Sequence, residues 1–82
     1  MKKVRAIVSG QVQGVGFRMS TRSQAQQLGV DGTVRNLNNG NVEIIAAGEA
    51  EAVDALIDWA KTGSSSAVVY DLQTEVMDYK DA

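Results

Sequence analysis

The order in which hydrophobic periodicity changes along the chain constrains its fold more than any other feature. An apolar, β-branched run from Val4 to Val8 stops at a Ser-Gly pair and predicts a strand. After a glycine-rich break, the period becomes helical, and a helix is predicted from Phe17 to Leu28, with Gly29 ending it. Its stripe consists of Phe17, Thr21, Ala25 and Leu28.

A hairpin is predicted next. A strand over residues 33–37 runs into Asn38-Asn39-Gly40-Asn41, and a partner strand follows from Val42 to Ala47. Asn-Gly between two β-like segments favours a type I′ turn, in which both central residues have positive φ. Alternation places Val42, Ile44 and Ala46 on one face of the partner strand, and Glu43 on the other.

The second half of the chain predicts a helix and a strand. Gly48 opens the helix and Gly63 ends it, with a stripe formed by Val53, Leu56, Ile57 and Ala60. The serines at positions 64–66 are predicted to form a loop. Alternating apolar residues between Val68 and Val76 then predict a strand with one half-buried face, made of Val68, Tyr70, Leu72, Thr74 and Val76.

The resulting order, strand-helix-strand-strand-helix-strand, predicts an α+β fold. It is the ferredoxin-like split βαβ sandwich (βαββαβ), an antiparallel sheet with two helices on one face. Right-handed crossovers place both helices on the same side. A chain of 82 residues makes one domain, predicted over residues 1–82.

Composition narrows the chemistry. The chain has no cysteine and no histidine, so thiolate or imidazole metal sites and Ser-His or Cys-His nucleophilic pairs are excluded. Its net charge is −2, but residues 1–40 carry six basic side chains against one acid, and residues 41–82 carry two against nine. A positive half of an acidic protein suggests a local anion site, although uneven charge is also common in small acidic domains.

The glycine-rich break is the first candidate site. Gly14 and Gly16 lie between a strand and a helix, where glycine lets backbone N–H groups turn towards a ligand. The start of a helix adds unpaired N–H groups and partial positive charge. Arg18 lies in that first turn, although the helix dipole disfavours a cation there, and its planar fork matches a phosphate group. A plain turn is the competing interpretation.

Asn36 is the second candidate. It is predicted in mid-strand, where asparagine is disfavoured, on the same face as Val34. An amide among apolar neighbours is either hydrogen-bonded for structural reasons or directed at a ligand. Arg35 falls on the opposite face, where we expect it to be solvated.

Two long motifs connect these candidates to a known family. Residues 10–18, Gly-Gln-Val-Gln-Gly-Val-Gly-Phe-Arg, resemble the acylphosphatase signature G-x-V-Q-G-V-G-F-R. Residues 32–43, Gly-Thr-Val-Arg-Asn-Leu-Asn-Asn-Gly-Asn-Val-Glu, resemble the second signature of that family, G-x-V-x-N-x-x-x-G-x-V-E. The resemblance covers nearly the whole chain and implies the same ferredoxin-like fold.

This resemblance implies hydrolysis of carboxyl-phosphate mixed anhydrides to a carboxylate and inorganic phosphate. It implies that Arg18 and the backbone N–H groups of residues 13–18 hold the phosphoryl group, and that Asn36 orients the attacking water. The substrate-binding residues are then Gln13, Gly14, Val15, Gly16, Phe17 and Arg18. No cofactor and no metal are implied.

Members of the family usually continue to a short fifth strand and have a Gly-Pro-Pro-like loop after the second helix. Here the loop reads Gly-Ser-Ser-Ser and the sequence ends at Ala82, so we expect the fifth strand to be lacking. No targeting segment is visible in the sequence, and the expected setting is a cytoplasmic monomer that acts on a small-molecule acyl phosphate, with neither nucleic acid nor a membrane as partner.

Two other functions compete with the enzyme. The first is a non-catalytic module of the same family that binds phosphate or carbamoyl phosphate. The second is RNA binding by the sheet, which needs exposed aromatic residues and a basic face. Four aromatic residues and a net negative charge argue against RNA, and the presence of both Arg18 and Asn36 favours the enzyme.

Overall fold

The computed structural model describes residues 1–14, 16–63 and 67–79 and confirms the predicted order of elements. The elements are β1 (Lys2–Gln11), α1 (Phe17–Leu28), β2 (Asp31–Asn36), β3 (Val42–Gly48), α2 (Ala50–Thr62) and β4 (Val68–Tyr79). Val15, the serines at 64–66 and the expected lack of a strand after β4 lie outside the described residues. No helix in the described part of the chain is long and apolar enough to cross a membrane.

The four strands form one antiparallel sheet in the order β2-β3-β1-β4. In the β1–β3 pair, Val4, Ala6 and Val8 lie opposite Ala46, Ile44 and Val42, and all six are buried. Both helices cover this apolar face, because their stripes join its residues in a single core cluster. The α+β, ferredoxin-like fold predicted from the sequence is therefore confirmed.

The predicted helices are confirmed, with one shift of boundary. α1 spans the predicted residues, and Gly29 ends it in the left-handed conformation with φ 71°. Gly48, however, does not open α2: it is the last residue of β3, where it still pairs with Lys2 of β1. Glu49 is the N-cap residue of α2, so the helix begins only after the sheet pairing is complete.

The hairpin between β2 and β3 is confirmed, but the predicted type I′ turn is wrong. Gly40 has φ 92°, whereas no described residue other than glycine has positive φ, so Asn39 does not adopt the conformation that type I′ requires. The N–H of Gly40 donates to the carbonyl of Leu37 (3.2 Å), and the N–H of Leu37 donates to the carbonyl of Asn41 (2.8 Å). This is a three-residue loop in which a single glycine carries the left-handed position.

β4 departs from the predicted alternation. Ser9 pairs with Asp71, but Gly10 pairs with Val69, so Tyr70 is an extra residue opposite β1. Such a bulge reverses which side chains face the core. Val69 and Leu72 pack against the core, whereas Val68 and Tyr70 are exposed, so the single half-buried face predicted from Val68 to Val76 is wrong.

Candidate active site

The backbone between β1 and α1 takes a conformation that glycine allows. Gly14 has φ 73° and Gly16 has φ 77°, a region that residues with a Cβ rarely adopt. Apart from its chain neighbours, a Cβ at either position would meet no atom of a described residue within 4 Å, so the requirement for glycine comes from the backbone angle and not from crowding. The same open space leaves room for a ligand directly over the loop.

The start of α1 is left without a side-chain cap. Gly16 occupies the N-cap position and offers no side-chain hydrogen bond, and the first turn contains no acidic residue. The first N–H groups of the helix therefore have no side-chain acceptor, and their partial positive charge is not balanced locally. An end of this kind favours an anionic ligand.

Arg18 adds a full positive charge at this end. It is the second residue of α1, and it is exposed. Its guanidinium forms no hydrogen bond or ion pair with any residue that the structure describes. Its five donors are thus available to a phosphate or carboxylate group in solution.

Phe17 anchors this turn in the core. Its side chain is completely buried and stacks on Trp59, with ring centroids 6.0 Å apart. The hydroxyl of Thr21 donates to the carbonyl of Phe17 at 2.7 Å, so that carbonyl is occupied within the helix. Among the polar groups of Phe17, this leaves the backbone N–H for a ligand over the loop, and its role in binding a phosphoryl group stays a prediction.

Asn36 lies across from this helix end. It is the last residue of β2 rather than a mid-strand residue as predicted, it pairs with Val42, and its side chain is exposed. The tertiary structure places it at a cavity of about 230 Å³ together with Arg18. The cavity is lined by Val12, Gly14, Gly16, Phe17, Arg18, Met19 and Asn36.

The sequence-predicted residues are thus brought together with two exceptions. Val15 lies outside the described residues, and Gln13 is not among the residues that line the cavity. The side-chain amide of Gln13 instead donates to the carbonyls of Leu37 and Asn41, each at 2.8 Å. This link across 24 and 28 residues was missed, and nothing in the sequence around a loop glutamine could have indicated it.

An ion-pair cluster lies beside the site, on the other face of the sheet. Glu43 is buried, and its two carboxylate oxygens accept from Nε of Arg35 and Nε of Arg5, both at 2.7 Å. Arg35 is exposed to solvent on this face, as expected, and its ion pair with Glu43 was not expected. Hydrogen bonds from Arg35 and then Arg5 hold the pKa of the Glu43 carboxyl below its usual range, against the opposing effect of burial.

Glu43 therefore has no place in the cavity. It neighbours Val42, whose side chain is buried in the core, so its own side chain lies on the opposite face. Within residues 1–14, 16–63 and 67–79, no three acidic side chains come close enough together to hold a metal ion. The polar groups around the cavity are the Arg18 guanidinium, the Asn36 amide and backbone N–H groups.

Known proteins are similar to this chain in sequence and in fold. The acylphosphatase family model matches residues 4–82. An acylphosphatase of Nitrosococcus oceani is 51% identical over 75 residues, which are 92% of this chain and 84% of that protein. An acylphosphatase of Acaryochloris marina is 54% identical over 66 residues, or 80% of this chain and 71% of that protein. The chain belongs to the acylphosphatase family.

The structural comparison agrees with the sequence comparison. The crystal structure of the acylphosphatase from Bacillus subtilis superimposes with a TM-score of 0.91 at 34% identity, covering 99% of this chain and 90% of that one. The match confirms the resemblance stated from the two motifs. The chain is an enzyme, and its activity is that of an acylphosphatase.

Proposed function

We propose that residues 1–82 act as a single acylphosphatase-like domain whose reaction takes place in the cavity between Arg18 and Asn36. In this proposal, Arg18 and the backbone N–H groups of residues 13–18 hold the phosphoryl group of an acyl phosphate. Asn36 orients the attacking water. The observation that carries the proposal is that Arg18 and Asn36 line one cavity together with Gly14 and Gly16 of the loop between β1 and α1, which we call the glycine loop.

Phosphoryl binding is supported by the unbalanced charge at this end of the molecule. The start of α1 has no side-chain cap, and the Arg18 guanidinium has no partner among the described residues. Both groups favour an anion, and without an anion they repel each other. A dianionic phosphoryl group relieves that repulsion. It also accepts two parallel hydrogen bonds from the arginine fork, which neutral groups cannot do equally well.

Water orientation is supported by the position of Asn36. Its amide stands at the wall of the cavity, at the end of a strand whose neighbour β3 fixes its backbone. The amide oxygen accepts a hydrogen bond from water and so directs a lone pair of that water towards phosphorus. Positioning of this kind contributes to the rate without any change of protonation in the protein.

The chemistry of an acyl phosphate suits a site with these groups. The bond between phosphorus and the acyl oxygen breaks and its electron pair leaves with the carboxylate, while the water oxygen bonds to phosphorus. A proton of the water passes to a phosphate oxygen of the substrate, and a carboxylate needs no general acid to leave. Charge stabilisation and positioning account for most of the catalysis of phosphoryl transfer. An alkyl phosphate has a far poorer leaving group and is expected to react poorly.

Release of inorganic phosphate from benzoyl phosphate tests the proposal. We expect turnover by the purified protein that does not change when a metal chelator is added, and almost none with an alkyl phosphate. Binding of phosphate without turnover would instead identify a non-catalytic phosphate-binding module, the alternative left open by the sequence. The comparison of Arg18→Gln and Asn36→Ala separates binding from turnover.

The cellular location, the oligomeric state and the partners of the enzyme are a further part of the proposal. A cytoplasmic monomer that acts on a small molecule, with no nucleic acid, membrane or cofactor as partner, stays a prediction. Sedimentation equilibrium across a range of concentrations checks the oligomeric state, and a mass equal to one chain is expected.

A further inference from the structure

The side chain of Gln13 forms a bridge within the site. Both hydrogens of its amide nitrogen are used, since this nitrogen donates to the carbonyls of Leu37 and Asn41 at 2.8 Å each. The bridge is half-buried, where a hydrogen bond is less exposed to competition from water. An amide with both donors engaged is fixed in orientation as well as in position.

The two acceptors are the residues that close the β2–β3 hairpin. Leu37 directly follows Asn36, and Asn41 directly precedes Val42, the partner of Asn36 in the sheet. Leu37 and Asn41 are themselves joined, because the N–H of Leu37 donates to the carbonyl of Asn41 at 2.8 Å. Gln13 therefore holds both strands of the hairpin at the point where the chain leaves the sheet after Asn36.

Sheet pairing alone does not connect the two halves of the site. β3 lies between β1 and β2, and the pairing of β1 with β3 ends at Val8, before the glycine loop begins. Among the described residues, no backbone hydrogen bond joins the segment 12–16 to the segment 37–41. The Gln13 amide supplies the hydrogen bonds that tie the loop to the hairpin.

We propose that Gln13 is a positioning residue that fixes Asn36 relative to the loop that holds the phosphoryl group. The proposal rests on the proposed role of Asn36 in orienting water. Gly14, which follows Gln13, lines the cavity on one side. On the other side, the acceptors of Gln13 are Leu37, which follows Asn36, and Asn41, which precedes the strand partner of Asn36. A displacement of about 1 Å between water and phosphorus is enough to slow such a reaction greatly. Loss of the bridge should therefore lower kcat and leave phosphate binding unchanged.

Gln13→Met tests this role, because methionine has a similar length and no donor. We expect kcat with benzoyl phosphate to fall about tenfold, with the inhibition constant of inorganic phosphate within about twofold of the wild-type value. Gln11→Met is the matched control: Gln11 lies two residues away, is exposed, and forms no side-chain hydrogen bond with a described residue. The control should keep wild-type kcat.

A double-mutant cycle with Asn36→Ala identifies the residue through which Gln13 acts. If Gln13 positions Asn36, the Gln13→Met change should lower kcat less than about twofold in the Asn36→Ala background. An equal loss in both backgrounds would overturn the role of Gln13 while leaving that of Asn36 intact. Phosphate affinity that falls in parallel with kcat would overturn it too, because Gln13 would then shape the phosphate loop itself.

Two further outcomes complete the test. An Asn36→Ala variant with wild-type kcat would overturn the proposed water orientation, and the positioning role of Gln13 with it. If Gln13→Met does not fold by circular dichroism, Gln13→Leu takes its place, since leucine is uncharged, similar in size and donates nothing. The same loss of kcat and the same absence of additivity are then expected.

Discussion

Arg18 and Arg35 both have exposed side chains near the site, yet their surroundings differ. Arg35 donates to Glu43 at 2.7 Å and shares that carboxylate with Arg5, while Arg18 has no partner among the described residues. Arg35 directly precedes Asn36, and strand alternation sends the two side chains to opposite faces. At the end of β2, Arg35 therefore forms an ion pair on one face of the sheet, and Asn36 lines the cavity on the other face.

The difference separates an arginine whose charge is paired within the protein from one that has no partner among the described residues. The Glu43 carboxylate compensates two guanidinium groups, and their hydrogen bonds keep it ionised. Arg18 lies at the positive end of a helix and has no partner among the described residues, which supports the proposal that an anion binds there. We therefore expect Arg5 and Arg35 to support stability and Arg18 to support turnover.

Substitution of Arg18 should have the largest effect. We expect Arg18→Gln to lower kcat/KM about a hundredfold or more, on the order of 3 kcal/mol, because a preorganised donor to the phosphoryl group is lost. Inorganic phosphate should also inhibit more weakly. Arg35→Gln is the control and should keep normal turnover while melting earlier. Wild-type turnover by a folded Arg18→Gln protein would contradict the distinction.

Asn36→Ala should have the next largest effect. We expect kcat to fall roughly tenfold to a hundredfold, because the water is no longer oriented, while the inhibition constant of phosphate changes little. Single-turnover kinetics beside a thermal melt measure both properties. An earlier melt with normal kcat per folded molecule would place Asn36 with Arg35, as a structural residue.

Glu43→Gln should affect stability and not turnover. The pKa of Glu43 is lowered in the folded protein, so its contribution to stability is present above the unfolded pKa near 4.5 and is lost as the pH falls through the lowered folded value. At pH 7 we expect the variant to lose about 1 to 2 kcal/mol of unfolding free energy. Urea melts between pH 3 and pH 7 should show a flatter acid limb than in the wild type. Equal acid limbs would show that the cluster contributes nothing.

The smallest effect should be that of pH on turnover. Arginine, asparagine amide and backbone N–H groups do not titrate between about pH 5 and pH 8, and Glu43 is already ionised and points away from the cavity. We expect kcat to be nearly flat over that range once the ionisation of the substrate phosphate is corrected for. A bell-shaped profile that persists with substrates of different phosphate pKa would require a carboxylate base. Asp31 and Glu43, substituted one at a time, would then identify it.

Local signals account for the elements that the sequence predicted well. α1 has its predicted bounds because glycines at both ends take left-handed conformations and the stripe between them repeats at helical spacing. The buried face of β3 follows from plain alternation, since Val42, Ile44 and Ala46 are fully buried. Arg18 and Asn36 became candidates because each is predicted at a position that disfavours its residue type. Arg18 is a cation in the first turn of a helix, and Asn36 is an asparagine in a strand.

Pairing between strands decided what the local signals did not. β4 slips by one residue at Tyr70, where its register with β1 changes between Ser9 and Gly10, and no pattern within β4 indicates that shift. The hairpin turn is set in the same way, because the hydrogen bond from Leu37 to Asn41 leaves three residues between them and only Gly40 takes positive φ. A turn type therefore depends on the register of both strands and not on its dipeptide alone.

The sequence by itself determined the order of the elements, the family motifs and the two candidate residues for the proposed chemistry. The tertiary structure alone decided that Arg18 and Asn36 share a cavity, because β2 is joined to β1 only through β3 in the sheet. It alone decided that Gln13 joins the two halves, through hydrogen bonds over 24 and 28 residues. Periodicity records the interactions of a residue with its neighbours along the chain, whereas contacts of this range exist only after the sheet has formed.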